Sequence, residues 1–280
     1  MKKFKRVLPI VALSVLFFAC KKEEIQEPIE EPAVASSPTD NMLKIADTYV
    51  VGAKTKATVY AISKLQTGYN TLYIQFNDSA DGSIITSGQL TATAMMDMGS
   101  MKHSTPIENS DVSVPSDGLF KVGVVFIMPG KNTEWSLDLN FKNNKTNLTG
   151  LGKIGVEVLD ASPSKMKSTL LPLDGNKKVF ISLLEPVTGK VGINDFQITI
   201  HEKLSMMSFP PAEGYSVKIV PEMPSMGHGS PNNVDPVHTG KGHYAGKVNY
   251  TMTGLWYIHI HLYKNDSLIS SDQYFEMTLK

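Results

Sequence analysis

The feature that most constrains the fold is a pattern that occurs twice along the chain. A Met-x-x-Met-x-His segment, "MGSMKH" at residues 98–103, recurs as "MPSMGH" at residues 223–228. The stretch "GYNTLYIQF" precedes the first copy and "GINDFQITI" precedes the second, while a Met-x-Gly and then a tryptophan follow each. Landmarks in the same order predict a tandem duplication of a module of about a hundred residues, an ordinary domain size.

Each copy has the pattern of β-structure. Its apolar segments are short, rich in β-branched and aromatic residues, and often alternate in polarity, as in "TLYIQF", "WSLDLNF", "YSVKIV" and "WYIHIHLY". Clusters such as "NDSADGS" and "SPNNVD" separate them. The sequence therefore predicts an all-β protein with two tandem immunoglobulin-like β-sandwiches, at residues 44–160 and 175–280, joined by a loop-like segment at residues 160–177.

Alternation also assigns side chains to the two faces of a strand. In "WYIHIHLY" we expect one set to point into the core: Trp256, Ile258, Ile260 and Leu262. The other set points outward: Tyr257, His259, His261 and Tyr263. In "KVNYTM" the same rule turns Val248, Tyr250 and Met252 inward, and Met252 is expected near one rim of the sandwich, with Met128 at the same place in the first copy.

The N-terminus is typical of a targeting segment. Four basic residues within the first six precede the apolar run "VLPIVALSVLFFA", which predicts a signal peptide at residues 1–19. The ending "LFFAC" resembles a lipobox, so we expect a lipid on Cys20. The alternative is an ordinary secretory segment with an incidental cysteine. Residues 20–43 are rich in Glu, Pro, Ser and Ala, as in a flexible tether. These features favour a cell-envelope protein, lipid-anchored to the outer or cytoplasmic membrane and either periplasmic or surface-exposed.

Composition restricts the partners and the available ligands. The chain has 27 basic and 27 acidic residues, so it lacks the positive charge that nucleic-acid binding requires. It contains a single cysteine, 14 methionines and seven histidines. If Cys20 carries lipid, no thiol remains to form a disulfide or to bind a metal. A soft ligand in the folded part must then be a methionine.

The repeated loop suggests a copper site. Thioether sulfur favours Cu(I), and imidazole binds both oxidation states of copper. In the second copy, the predicted ligands are Met223, Met226 and His228. A fourth ligand could be Met252, His243, or the outward pair His259 and His261. The first-copy ligands are Met98, Met101 and His103, but Leu119, Asp138 and Asn140 replace the three additional histidines, so this copy is expected to bind metal more weakly or to be mainly structural.

Structural explanations remain open for the same residues. Methionines near strand ends often fill gaps in a core, which applies equally to Met128 and Met252. His259 and His261 can be polar residues on a hydrated sheet face. His201 follows an apolar strand and has no repeat partner, so we interpret it as a structural histidine.

At these motifs the sequence resembles the YtkA-like family, which is related to the FixH-like proteins. The resemblance is carried by "MPSMGHG" and "GKGHYAGKVNYTMTGLW", with "MGSMKHS" and "SDGLFKVGVVFIMPG" as a degenerate copy. It implies small β-sandwich modules outside the cytoplasm, associated with copper handling or respiratory-oxidase assembly. The matching positions are Met223, Met226, His228, Met252 and Trp256.

The leading hypothesis is therefore a lipid-anchored envelope protein that binds copper through Met and His loops, as a carrier or chaperone-like module. Its expected partners are the membrane, through the lipid, and a copper-requiring envelope or respiratory protein. The alternative is a metal-free interaction module of an envelope or respiratory assembly complex. An enzyme is not expected, because the sequence has none of the usual hydrolase motifs, no phosphate-binding glycine loop and, once Cys20 is lipidated, no thiol nucleophile.

Overall fold

The computed structural model of the chain describes residues 37–115 and 117–280. The predicted signal peptide, Cys20 and residues 21–36 of the predicted tether lie outside the described residues. Within the described part, no helix has the length and hydrophobicity needed to cross a membrane.

The first half of the described chain forms nine strands. They are β1 (Leu43–Val50), β2 (Thr55–Ala61), β3 (Gly68–Asp78), β4 (Gly88–Asp97), β5 (Lys102–Ser104), β6 (Ile107–Glu108), β7 (Leu119–Phe126), β8 (Gly130–Asn143) and β9 (Thr149–Val158). They make two antiparallel sheets, with strand orders β1-β2-β3-β7-β6 and β5-β4-β8-β9.

The second half repeats this arrangement strand for strand. Its strands are β10 (Met166–Leu171), β11 (Lys177–Glu185), β12 (Gly192–Lys203), β13 (Ser216–Met223), β14 (His228–Gly229), β15 (Val234–Gly240), β16 (His243–Tyr250), β17 (Gly254–Lys264) and β18 (Ser267–Leu279). The sheet orders are β10-β11-β12-β16-β15 and β14-β13-β17-β18. The prediction of an all-β fold with two tandem sandwiches is confirmed.

Each sandwich has its own apolar core, with a fully buried tryptophan in each. The predicted inward set of β17 is confirmed, since Trp256, Ile258, Ile260 and Leu262 are all buried. The inward prediction is wrong for Met252, which is 37% exposed. The reason is that β16 ends at Tyr250, so the alternation no longer applies two residues later, in a bend.

The connection between the sandwiches differs from the expectation of a loop. Within residues 160–177, Met166–Leu171 form β10, which pairs with β11 along its whole length. A short 3-10 turn, Pro172–Asp174, follows it. This segment therefore contributes an edge strand to the second sandwich.

The two sandwiches contact each other directly. The Ser104 amide donates to the Met206 carbonyl oxygen at 2.8 Å. Nε2 of His243 lies 2.9 Å from Glu108 Oε1, and Lys241 pairs with Asp111. Residues 38–280 consequently form one compact unit rather than two independent modules.

Candidate functional site

The predicted ligands of the second copy lie at one end of its sandwich, which we call the second rim: residues 223–228, Met252 and Trp256. Strand β13 ends at Met223, and β14 returns with His228 directly opposite it. The amides of Met226 and Gly227 donate to the Met223 carbonyl oxygen at 3.1 and 2.9 Å. Gly227 has a φ of 62°, a left-handed conformation that glycine adopts without strain. This turn places Met226 at its tip.

The second rim is built around the Trp256 indole. The edge of the His228 ring packs on it, with ring centroids 5.9 Å apart and planes at 82°. The indole Nε1 donates to the Met252 carbonyl oxygen at 3.1 Å. The Met223 methyl group lies beside Gly254, where an added Cβ would stand only 3.0 Å from it. The indole thus contacts the His228 ring and the Met252 carbonyl oxygen, and Met223 lies opposite His228 in the sheet.

These side chains differ in their exposure to solvent. Met223 is 2% exposed and belongs to the hydrophobic core, so its environment is that of a gap-filling methionine. Met226 is 60% exposed and Met252 is 37% exposed, while His228 is half-buried. Met226 and Met252 are therefore the exposed methionines of the second rim, and its histidine is partly accessible.

The first copy repeats this construction at the first rim: residues 96–103, Met128 and Trp135. The ring of His103 packs edge-on against the indole of Trp135 at 5.7 Å and 86°. The indole Nε1 donates to the Met128 carbonyl oxygen at 3.1 Å. Met96 stands opposite both His103 and Trp135 in the sheet, and its methyl group lies near Gly130.

Strand pairing corrects the alignment of the two loops. The residue equivalent to Met223 is Met96, and not Met98 as the sequence alignment assumes. Residues 97–102 separate the paired Met96 and His103, whereas only residues 224–227 separate Met223 and His228. The first hairpin is therefore one residue pair longer, because Asp97 also pairs with Lys102, while the turns at residues 98–101 and 224–227 have the same length.

In the turn of the first copy, residues 98–101, Met98 is 39% exposed and Met101 is 47% exposed. Asp97 is already engaged, because Lys102 pairs with it at 2.7 Å and the Gly99 amide donates to it at 2.9 Å. The hydrogen bond from Lys102 lowers the pKa of Asp97. The thioethers are thus the unengaged donor atoms at the tip.

His103 is 4% exposed and has a defined orientation. Its Nδ1 lies 2.8 Å from the Ser104 carbonyl oxygen. A carbonyl oxygen only accepts hydrogen bonds, so Nδ1 carries a proton and Nε2 is the ring nitrogen left to bind another group. A histidine held in this way has the tautomer that binds metals through Nε2.

The structure does not bring the other predicted histidines to the second rim. His243 begins β16, at the end opposite Tyr250, and contacts Glu108 of the first sandwich. His259 points outward and lies 2.9 Å from Glu222 Oε2. His261 shares the outward face, where burial and then the neighbouring His259 lower its pKa. Alternation along β17 turns both away from Trp256.

In the part of the chain that the structure describes, the exposed methionines lie on the two rims or beside the first rim. In the described part of the chain they are Met98, Met101, Met207, Met226 and Met252. Four lie on the two rims, and Met207 lies on the segment that contacts Ser104 beside the first rim. Among residues 37–115 and 117–280, no three His, Cys, Asp or Glu side chains form a metal-binding group.

Sequence reasoning missed two kinds of residue here. Met96 faces the first indole but lies outside the repeated motif. Met206 and Met207 lie in "LSMMS", which has no counterpart in the first copy. The pair of adjacent methionines in a polar loop was the only available signal.

Comparisons with solved structures find matches at low sequence identity and low TM-score. The Escherichia coli adhesin FdeC is 14% identical, with 82% of this chain and 65% of that chain covered and a TM-score of 0.27. Invasin, a bacterial integrin-binding protein, is 11% identical, with 80% and 39% covered and a TM-score of 0.26. Domains 5–6 of the S-layer protein SbsC are 11% identical, with 85% and 98% covered and a TM-score of 0.29. The chain thus spans less than two thirds of the first two structures.

A search of curated proteins finds no match. A family model, however, matches residues 176–261 and is described as YtkA-like. The matched segment contains Met223, Met226, His228, Met252 and Trp256, which together form the second rim. Over residues 176–261, the second sandwich is therefore similar to the YtkA-like family.

Proposed function

We propose that this protein binds Cu(I) at the second rim and acts as a carrier or chaperone-like module of the cell envelope. The observation that carries the proposal is the confinement of exposed methionines to the rims and the adjoining segment 204–208, with a tryptophan-packed histidine on each rim. Packing in a hydrophobic core does not explain an exposed methionine. The recurrence of exposed methionines on rims that carry a histidine therefore favours a role as metal ligands.

The donor set of the second rim fits this ion. Met226, His228 and Met252 would hold it, with Met223 beneath them, and all four donors are neutral. Neutral sulfur and nitrogen donors suit a soft monovalent cation. The nearby indole adds a negative π-face, which attracts cations. No catalytic step is part of this proposal, because the ion is cargo.

The proposed location of the protein is the membrane surface of the cell envelope. A lipid on Cys20 would tether the protein to a membrane, and the remaining chain would have no thiol to oxidise. Because Met226 and Met252 lie on the open side of the rim, a copper-requiring envelope or respiratory protein could reach the bound ion. The partner would thus approach the end of the second sandwich.

Titration with Cu(I) tests the proposal. In residues 38–280, we compare the unmodified protein with Met226→Leu combined with His228→Gln, using oxygen-free competition against a Cu(I) chelator. We expect the affinity to fall at least tenfold, which is about 1.4 kcal/mol. Met166→Leu on β10 is the matched control and should bind normally. Equal affinity in all three proteins would remove the second rim from the proposal.

A metal-free interaction module is the second candidate. It is favoured by apolar exposure at the same rim, where Met226, Met252 and Leu255 are 60%, 37% and 38% exposed. Such a patch can form the centre of a protein contact. The two functions separate in the titration, because a pure docking surface would bind no Cu(I) in the unmodified protein.

A further inference from the structure

We infer that the second sandwich completes a second soft-metal site at the first rim, through the methionines of residues 204–208. This inference rests on the proposed function, namely Cu(I) binding by Met and His side chains. The composite site would combine Met206 and Met207 with the exposed turn of the first rim. Its ligands would therefore come from both sandwiches.

A backbone hydrogen bond joins the edge of the first rim to residues 204–208. Strand β5, Lys102–Ser104, is the edge of its sheet and carries His103. The amide of Ser104 donates to the Met206 carbonyl oxygen at 2.8 Å. This bond fixes Met206 beside the residue that follows His103. The backbone of a methionine of the second sandwich is thus bonded to the residue next to His103 in the chain.

The segment that carries the two methionines, residues 204–208, forms a turn closed by hydrogen bonds. The Leu204 amide donates to the Ser208 carbonyl oxygen at 3.0 Å, and the Met207 amide donates to Ser205 Oγ at 3.1 Å. The turn is therefore closed on itself. Met206 is half-buried, and Met207 is 56% exposed at the tip. Unbranched methionine side chains can adapt to a shared centre from such positions.

The methionines of residues 204–208 are absent from the equivalent connection of the first sandwich. The equivalent connection of the first sandwich, residues 79–87, reads "SADGSIITS" and contains no methionine. The methionine pair at residues 206–207 therefore has no counterpart in the equivalent connection of the first sandwich.

The histidines of the two rims differ in their exposure to solvent. His103 is 4% exposed, while the equivalent His228 is half-buried. The covered first rim would release an ion more slowly than the second rim. The first site would then store the ion, while the second would exchange it with a partner.

Stoichiometry tests this inference. We expect residues 38–280 to bind two Cu(I) ions per chain in chelator competition, and Met206→Leu with Met207→Leu to bind one. Met166→Leu should still bind two. Because both replaced side chains are at least partly exposed, we expect the variant to fold, which its circular dichroism and melting temperature check.

The outcomes separate the two proposals. If the unmodified protein binds no Cu(I), the proposed function fails. If it binds one ion that is lost only in Met226→Leu with His228→Gln, the second rim stands and the composite site is wrong. Two ions retained by the Met206 and Met207 variant would also overturn it.

Methionine oxidation gives a second readout that does not count ions. Hydrogen peroxide converts a thioether to a sulfoxide and is itself reduced to water. Ag(I), a soft cation without copper's redox chemistry, is used as the probe. We expect bound Ag(I) to slow oxidation of Met101 and Met207 severalfold together, as measured by mass spectrometry. Unchanged oxidation of Met207 would contradict the composite site.

Discussion

His201 is a deeply buried ionisable residue at the junction of the sandwiches. It is 2% exposed, its Nδ1 has no hydrogen-bond partner, and its Nε2 lies 3.9 Å from Glu108 Oε1. Burial lowers its pKa from 6.5 to about 4, while Glu108 opposes this shift and His243 adds to it. The folded protein therefore keeps this imidazole neutral at pH values where an unfolded chain protonates it.

We predict a loss of stability in mild acid. Between pH 6.5 and about 4, the unfolded chain binds a proton at His201 that the folded protein does not, so the free energy of unfolding falls as the pH falls. The full contribution is on the order of 3 kcal/mol. Urea unfolding across this range measures it. His201→Gln should flatten the dependence, and an equally steep dependence in that variant would assign the effect to other groups.

At the scale of the strands, the edges of the first sandwich are joined where β1 meets β9. Val51 and Leu151 exchange two backbone hydrogen bonds of 2.9 Å. Gly150 lies in this junction, where an added Cβ would be 2.2 Å from the Val51 carbonyl oxygen and 2.3 Å from the Ala53 nitrogen. Backbone atoms on both sides leave no room for a side chain.

We predict that Gly150→Ala separates these strands. Because the new methyl group meets backbone atoms, we expect the free energy of unfolding to fall by about 2 kcal/mol or more. Gly214→Ala is the matched control, since an added Cβ there meets no atom within 4 Å. Urea midpoints measure both variants. Similar urea midpoints for the two variants would show that the junction accommodates the methyl group without loss of stability.

At the scale of the whole molecule, Glu108 links the sandwiches. Its carboxylate lies 2.9 and 3.0 Å from His243 Nε2 and accepts a hydrogen bond of 3.1 Å from the Tyr69 hydroxyl. The Tyr69 ring also packs edge-on against His243 at 5.7 Å. One side chain of the first sandwich thereby satisfies polar groups on both sides of the interface.

We predict that Glu108→Ala loosens this interface. His243 and Tyr69 lose their shared acceptor, so the free energy of unfolding should fall by about 1–3 kcal/mol. Hydrogen exchange at the Ser104 amide should also become faster, because its acceptor belongs to the other sandwich. Glu157→Ala, on the exposed face of β9, is the control. Exchange as slow as in that control would show that the interface does not depend on Glu108.

Much of the fold could be predicted from local patterns. Alternation identifies the buried face of β17, and the repeated landmarks predict two sandwiches, whose sheets have matching strand orders. Of the site, the sequence identifies the rim residues Met223, His228 and Met252. Their proximity follows from strand ends meeting at one edge, which a repeat preserves.

Other features depend on contacts between distant segments. Strand pairing makes Met96 the counterpart of Met223, because the first hairpin has one more residue pair, Asp97 with Lys102, although the two motifs match. The position of β10 depends on its pairing with β11, since an isolated six-residue edge strand carries little signal of its own.

The sequence by itself determined the strand pattern, the duplication and the kinds of donor atom available, because these depend on side-chain chemistry and spacing along the chain. Only the tertiary structure decided which donors meet. It placed His243 against Glu108, His259 against Glu222, and the Met206 carbonyl oxygen against the Ser104 amide beside the first rim. The physical reason is that turn length, sheet edges and the packing of one sandwich on the other set distances between residues far apart in sequence.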